Sequence, residues 1–317
     1  MNAVINALIN TALGPVEYHL AEGIGPVVLA SHGGLGGVDQ ARLLLGWLDP
    51  MRYRVLACSR PGYLNTPLSS GRGLAEQADL FAALLDALGI ERVSVVTVSA
   101  GGPPGYLFAA RHPERVAALV AIASVSGRYA PQHSGNRLAQ ALFMSDAGLK
   151  LAVRMTNRAP GRMARAMLNS TAHYSAEELQ RQLDFTLGSP DSAAFLRDFT
   201  AALMPYRPRV PGNTNDTEQL RGLAELPMAD VRCPTLVVHG THDSDVPFCH
   251  GVRAYEQIAG AQRYWIAEGA HLGFWLGTGS AQAQTVARRF LDQAGAAARD
   301  PDLTMVDQTE QGRPMTW

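Results

Sequence analysis

Short continuous runs of apolar residues recur along the chain, at Val27–Ser31, 53–58, 94–98, Val116–Ile122, 234–240 and 263–267. Runs of this length without alternation are the mark of strands buried on both faces. Between them the period changes. Leu74, Ala78, Phe81, Leu84, Leu85 and Leu88 fall at helical spacing, and Gly89 is a residue suited to end that helix. Further helices are expected at 104–111 and 281–294. Strands alternating with helices predict an α/β fold whose mostly parallel central sheet is covered on both faces. The first thirteen residues are mildly apolar, are interrupted by Asn2, Asn6 and Asn10, and lack a basic start, so they read as a short helix and not as a secretion signal.

From about Gly127 to Leu226 no strand pattern of similar quality occurs, and helix-like stretches rich in Arg, Ala and Met take over. The alternation then returns, so one sheet is expected to be split by an insertion. The expected division is a core at 1–127 and 227–298, a helical cap at 128–226 and a polar C-terminal tail at 299–317. Met144, Met155, Met163, Met167 and Met204 read first as helix packing and second as a deformable apolar wall over a substrate.

Charge narrows the partners. With 27 Lys+Arg against 28 Asp+Glu, the 317-residue chain carries a formal charge of −1, which gives no field to attract nucleic acid or an anionic membrane surface. No apolar run reaches the roughly 20 residues that span a bilayer. Cys58, Cys233 and Cys249 have no paired spacing and suit free thiols in a reducing compartment, so a cytoplasmic location is expected. The expected partner is a small-molecule substrate, with a homo-oligomer also open.

The chemistry concentrates at three places. Ser99 follows a β-branched strand and precedes Ala100-Gly101-Gly102, the layout of a sharp strand-to-helix turn that lifts a serine hydroxyl into a cleft. A serine hydroxyl is a weak nucleophile unless a base takes its proton and a third group orients that base. Two later segments supply candidates, His239-Gly240-Thr241-His242-Asp243-Ser244-Asp245 and Glu268-Gly269-Ala270-His271, each just past an expected strand. The carboxyl edge of an open α/β sheet is where ligands bind. His239, His242 and His250 match no common zinc-ligand spacing. The glycines at 33, 34, 36 and 37 lack the Lys-Ser/Thr sequel of a phosphate loop. No metal and no cofactor is expected.

In these residues the chain resembles the α/β-hydrolase superfamily, in its cap-bearing branch of esterases, lactonases, epoxide hydrolases and C–C bond hydrolases. The resemblance runs from about Val16 to Ala294 and is carried by Ser31-His32-Gly33-Gly34, Ser59-Arg60-Pro61-Gly62-Tyr63, the turn at Ser99, His239 through Asp243 with Val246-Pro247, and Gly269-Ala270-His271. It departs from the family's G-x-S-x-G at Thr97, where glycine is usual. The resemblance implies Ser99 as nucleophile, Asp243 rather than Asp245 as acid, and His271 as base. It implies the backbone N–H groups of Ala100 and Gly34, with Leu35 in reserve, as oxyanion donors, and His32 as a residue that orients their loop. A serine nucleophile points away from epoxide and haloalkane hydrolases. The expected activity is hydrolysis of carboxylic esters or lactones with mainly apolar groups. C–C bond hydrolysis or perhydrolysis on the same residues, and a ligand-binding receptor that retains them, are the alternatives.

Overall fold

The computed structural model describes residues 6–130 and 145–297. The expected tail at 299–317 and the part of the expected cap at 131–144, with Met144, lie outside the described residues. Strands β1 (Ala7–Thr11), β2 (Gly14–Leu20), β3 (Val27–Ser31), β4 (Arg54–Cys58), β5 (Val93–Val98), β6 (Val116–Ile122), β7 (Thr235–Gly240) and β8 (Gln262–Ile266) form one sheet in the order β1-β2-β4-β3-β5-β6-β7-β8. The pairs β1/β2 and β2/β4 are antiparallel, and all later neighbours are parallel.

The start of the chain differs from the helix its sequence suggests. Residues 7–20 are a hairpin, with Thr11 opposite Gly14 across a two-residue turn. Ile9 and Thr11 are half-buried while Leu8 and Asn10 are exposed, an alternation that only a strand produces. Asparagine bonds its own backbone and weakens a helix. The turn is closed by the Thr11 hydroxyl, which donates to the Gly14 carbonyl at 2.7 Å and accepts the Leu13 N–H at 3.1 Å.

Helices α1 (Val38–Leu44), α2 (Leu74–Leu88) and α3 (Gly102–Arg111) join the first strands, and α9 (Cys249–Gln257) and α10 (Ser280–Ala297) the last. Strand side chains alternate between two apolar layers. Leu29, Val95 and Ala121 pack with Phe81, Leu84 and Phe108 of α2 and α3. Val28, Val96, Val98 and Val120 face the other way, toward Leu44 of α1 and Phe290 of α10. Burying a side chain of this size stabilises by about 1.5–3 kcal/mol, which is why the parallel strands tolerate so few polar residues.

Between β6 and β7 lie α4 (Asp146–Arg158), α5 (Pro160–Thr171), α6 (Ala176–Gly188), α7 (Pro190–Ala201) and α8 (Val210–Arg221). Their starts follow from local chemistry. Ser145, Ser175 and Ser189 each accept an otherwise unpaired N–H of the first turn, and Glu178 returns the bond to Ser175 N–H at 2.8 Å. The apolar layer below continues up into this insertion. Leu168, Leu183 and Phe195 belong to it, Met163 and Met167 pack against it, and Phe195 stacks on Trp275 at 5.3 Å between ring centres. Among the described residues no helix is long and apolar enough to cross a membrane.

Candidate active site

Ser99 leaves β5 with φ at +53°, in the left-handed region. That conformation costs a residue with a side chain about 1–3 kcal/mol, so the surroundings must impose it. They do so through backbone contact. The Val125 N–H donates to the Ser99 carbonyl at 3.0 Å, the Ser31 hydroxyl donates to the Gly101 carbonyl at 2.8 Å, and a Cβ on Gly101 would lie 2.2 Å from the Ser31 carbonyl oxygen.

The turn accommodates Thr97 because space is ceded elsewhere. A Cβ on Gly105 of α3 would lie 2.1 Å from the Thr97 methyl, while the Thr97 hydroxyl is held by the Ser124 hydroxyl at 2.8 Å. Gly105→Ala is therefore expected to destabilise the protein by about 1–3 kcal/mol through overpacking, despite alanine's better helix propensity. Adding Thr97→Ser, which deletes the methyl and keeps the hydroxyl, should restore most of the loss in urea unfolding. A Gly105→Ala protein as stable as the parent would contradict this packing.

Asp243 lies in the tight turn after β7. One carboxylate oxygen accepts the N–H groups of Asp245 at 3.0 Å and Val246 at 2.9 Å, and the other accepts Nδ1 of His271 at 2.8 Å. Nε2 of His239 stands 3.4 Å from the same oxygen. Burial alone would raise the Asp243 carboxyl. The His271 charge and the bonds from His239 and His271 outweigh burial and bring it down to about 2. His271 shows the opposite balance: burial disfavours its charged form, but Asp243 first and Asp245 second push it up to about 9.

Asp245 reaches His271 from the other side. Its Oδ2 lies 3.5 Å from Nε2, and its Oδ1 accepts the Tyr129 hydroxyl at 3.0 Å. Among the described residues no hydrogen bond joins His271 to the Ser99 hydroxyl, so Nε2 rests against a carboxylate. Packing nevertheless brings the serine turn and the acid turn together. Ala100, Val125 and Val246 are buried in one small cluster, on which Tyr129 packs.

The insertion holds these turns directly. Thr171 ends α5, where a helix leaves its last carbonyls unpaired. Its carbonyl accepts the Ser244 N–H at 3.0 Å and the His271 N–H at 3.4 Å, and Ala172 pairs with Asp243 as an isolated bridge. The end of α5 thus holds the backbone of both the acid turn and the His271 loop.

Gly33 stands beside the serine: a Cβ there would be 3.0 Å from Ser99 Cβ. The Arg60 N–H donates to Nε2 of His32 at 3.0 Å, so the proton of this neutral ring is on Nδ1, which donates to the Gly33 carbonyl at 2.8 Å. Burial, and then the Arg60 charge, hold His32 well below its ordinary range. In a planar trans peptide the carbonyl of Gly33 and the N–H of Gly34 point in opposite directions. Fixing the carbonyl toward His32 therefore turns the Gly34 N–H away from it. The Arg60 side chain completes the support, donating to the His32 carbonyl at 3.0 Å and pairing with Asp216 of α8 at 2.5 Å. Tyr63 adds a bond to Asp216 at 2.6 Å.

The three histidines considered for zinc are engaged separately. His239 meets the Val246 carbonyl, His250 accepts the Ser126 N–H, and His242 faces Glu178. Sequence reasoning weighed Asp245 only as a rival acid and did not reach Tyr129, Thr171 or Asp216. Asp216 is 156 positions from Arg60, and no local pattern ties the two.

Residues 26–278 match the family model described as alpha/beta hydrolase fold. The chain belongs to that family. It is 30% identical over 284 residues to the uncharacterized hydrolase YcgS of Bacillus subtilis, covering 88% of this chain and 95% of the relative. It is 25% identical over 270 residues to 2-hydroxy-6-oxo-6-phenylhexa-2,4-dienoate hydrolase of Comamonas testosteroni, covering 82% and 86% of the two chains. Among solved structures, an alpha/beta hydrolase fold protein from Nakamurella multipartita superposes with a TM-score of 0.86 at 34% identity, covering 92% of this chain and all of that one. The α/β hydrolase fold of this chain is thus its own eight-stranded, mostly parallel sheet with a helical insert.

Proposed function

We propose that this α/β hydrolase is a serine hydrolase of carboxylic esters or lactones with mainly apolar groups. The observation that carries the reading is the buried Asp243–His271 pair at 2.8 Å, held at the same sheet edge as a serine in a left-handed turn. His271 Nε2 takes the Ser99 proton as Oγ attacks the carbonyl carbon, and Asp243 stabilises the resulting imidazolium. The N–H groups of Ala100 and Gly34 receive the negative charge that develops on the carbonyl oxygen. His271 then gives its proton to the departing alcohol, leaving an acyl group on Ser99. Water, deprotonated by the same imidazole, releases the acid and restores the serine. The first step requires Nε2, which lies 3.5 Å from Asp245 Oδ2, to reach the Ser99 hydroxyl.

Only neutral His271 can accept a proton. Because its two carboxylate neighbours raise it to about 9, the reactive fraction grows as pH rises and is lost as pH falls below that value. Turnover of p-nitrophenyl butyrate at low substrate concentration should climb about tenfold per pH unit from 6 to 8 and level off near 9. A flat profile from 6 to 9 would contradict the assignment. Rapid mixing with p-nitrophenyl acetate should leave an acetyl group on the peptide containing Ser99, read by mass spectrometry; acetyl on another residue, or none, overturns the reading.

A second reading follows from the Comamonas testosteroni relative, whose name makes it a hydrolase of a C–C bond in a dienoate. The same three residues can serve it. Cleavage of that dienoate by a protein that hydrolyses no ester would replace the first reading with the second.

A further inference from the structure

We infer that Asp245 is a specificity-determining residue: its carboxylate, set beside the nitrogen that must receive the Ser99 proton, favours substrates that are cationic or neutral near the cleaved bond over those that carry a carboxylate there. The inference rests on the roles proposed above for Ser99, Asp243 and His271.

The two acidic residues of the turn after β7 differ in their surroundings. With one residue between them, the side chain of Asp243 turns inward and is 0% exposed, while that of Asp245 is 42% exposed. The charge of Asp243 is matched by two backbone N–H groups and by His239 and His271. Among the described residues Asp245 is met by the Tyr129 hydroxyl and the edge of His271, and its charge stays partly exposed beside Nε2. Its position is fixed, because its own N–H is tied to Asp243 and its Oδ1 to Tyr129.

Two buried arginines are committed to other carboxylates. Arg60, 0% exposed, is paired with Asp216. Arg209, also 0% exposed, is paired with Asp39 and donates to the carbonyls of Leu35, Gly36 and Met204. The groups around His271 are Asp243, Asp245, Tyr129 and, behind Asp243, His239; the Tyr174 hydroxyl is engaged by the Glu268 carbonyl at 2.8 Å. When His271 becomes neutral to act as a base, these groups leave the cleft with a negative charge. A substrate charge at about 6 Å from Asp245 then feels an interaction equivalent to roughly 3- to 100-fold in rate, between fully hydrated and protein-surface screening.

The test compares phenyl acetate, 3-carboxyphenyl acetate and 3-(trimethylammonio)phenyl acetate, each kcat/KM being divided by the ester's own rate with hydroxide. The wild type should prefer the ammonium ester to the carboxylate ester, and Asp245→Asn should shrink that ratio by about tenfold while still hydrolysing phenyl acetate. An unchanged ratio overturns the inference. If the wild type hydrolyses none of the three faster than Ser99→Ala does, the esterase reading fails, and charge selection is read without turnover. The His271 imidazole resonance should then respond to phenyltrimethylammonium at lower concentrations than to benzoate in the wild type, and equally to both in Asp245→Asn. Equal responses in the wild type would overturn the inference on its own.

Discussion

Ser99→Ala is expected to lower ester hydrolysis by about 10⁴-fold or more, because the proposed mechanism transfers the acyl group to its hydroxyl. Residual hydrolysis above the rate in buffer should persist, since the oxyanion donors proposed at Ala100 and Gly34 are kept. The fold should be unaffected. Alanine meets the same left-handed strain as serine, and the contacts that impose the turn run through the Ser99 and Gly101 carbonyls, which the substitution keeps. The measurement is kcat on p-nitrophenyl butyrate for both proteins, alongside urea unfolding. Activity within tenfold of the parent in a folded variant would remove Ser99 from the mechanism.

The largest effect on stability is expected from Asp216→Asn. Arg60 is 0% exposed, and Asp216 both pairs with it at 2.5 Å and accepts the Tyr63 hydroxyl at 2.6 Å. Asparagine keeps the shape and removes the charge, leaving a guanidinium uncompensated in the interior. Breaking such a pair from one side costs about 3–5 kcal/mol, whereas replacing both partners by apolar residues of similar volume is often neutral. Urea unfolding should therefore show a large loss for Asp216→Asn and recovery of most of it in Arg60→Met with Asp216→Leu. The double variant should remain slow as an enzyme, because Arg60 also braces the His32 carbonyl behind the Gly34 N–H. A loss below about 1 kcal/mol in the single variant would mean that water reaches Arg60.

Much of this architecture could be read from the chain because its signals are local. Uninterrupted apolar runs mark β3 and β6 at their observed bounds, and the spacing of Leu74 to Leu88 gives α2 to the residue, closed by Gly89 in a left-handed conformation. The hairpin at 7–20 escaped because it closes one end of the sheet, where β1 is the edge and most positions are exposed or half-buried, so no run of apolar residues is needed. Helices α1 and α9 are only 7 and 9 residues long and offer few periodic positions. At the site, chain order left Asp243 and Asp245 both open, and the resemblance to the family pattern singled out Asp243, whose carboxylate lies 2.8 Å from His271 Nδ1. The orientation of Asp245, the partner of Arg60 and the role of the Thr171 carbonyl depend on contacts across the sheet edge or between insertion and core, which composition and spacing do not encode.

The carbonyl of Thr171 also bears on how the insertion can be manipulated. Two backbone amides, one beside each half of the Asp243–His271 pair, converge on that single oxygen. A chimera that transplants a foreign insertion between β6 and β7 would reach the Asp243–His271 pair: without an acceptor in the same place, both loops lose a shared anchor. Grafts that retain Pro160–Thr171 with Ala172 should keep that anchor while the other helices of the insertion are exchanged.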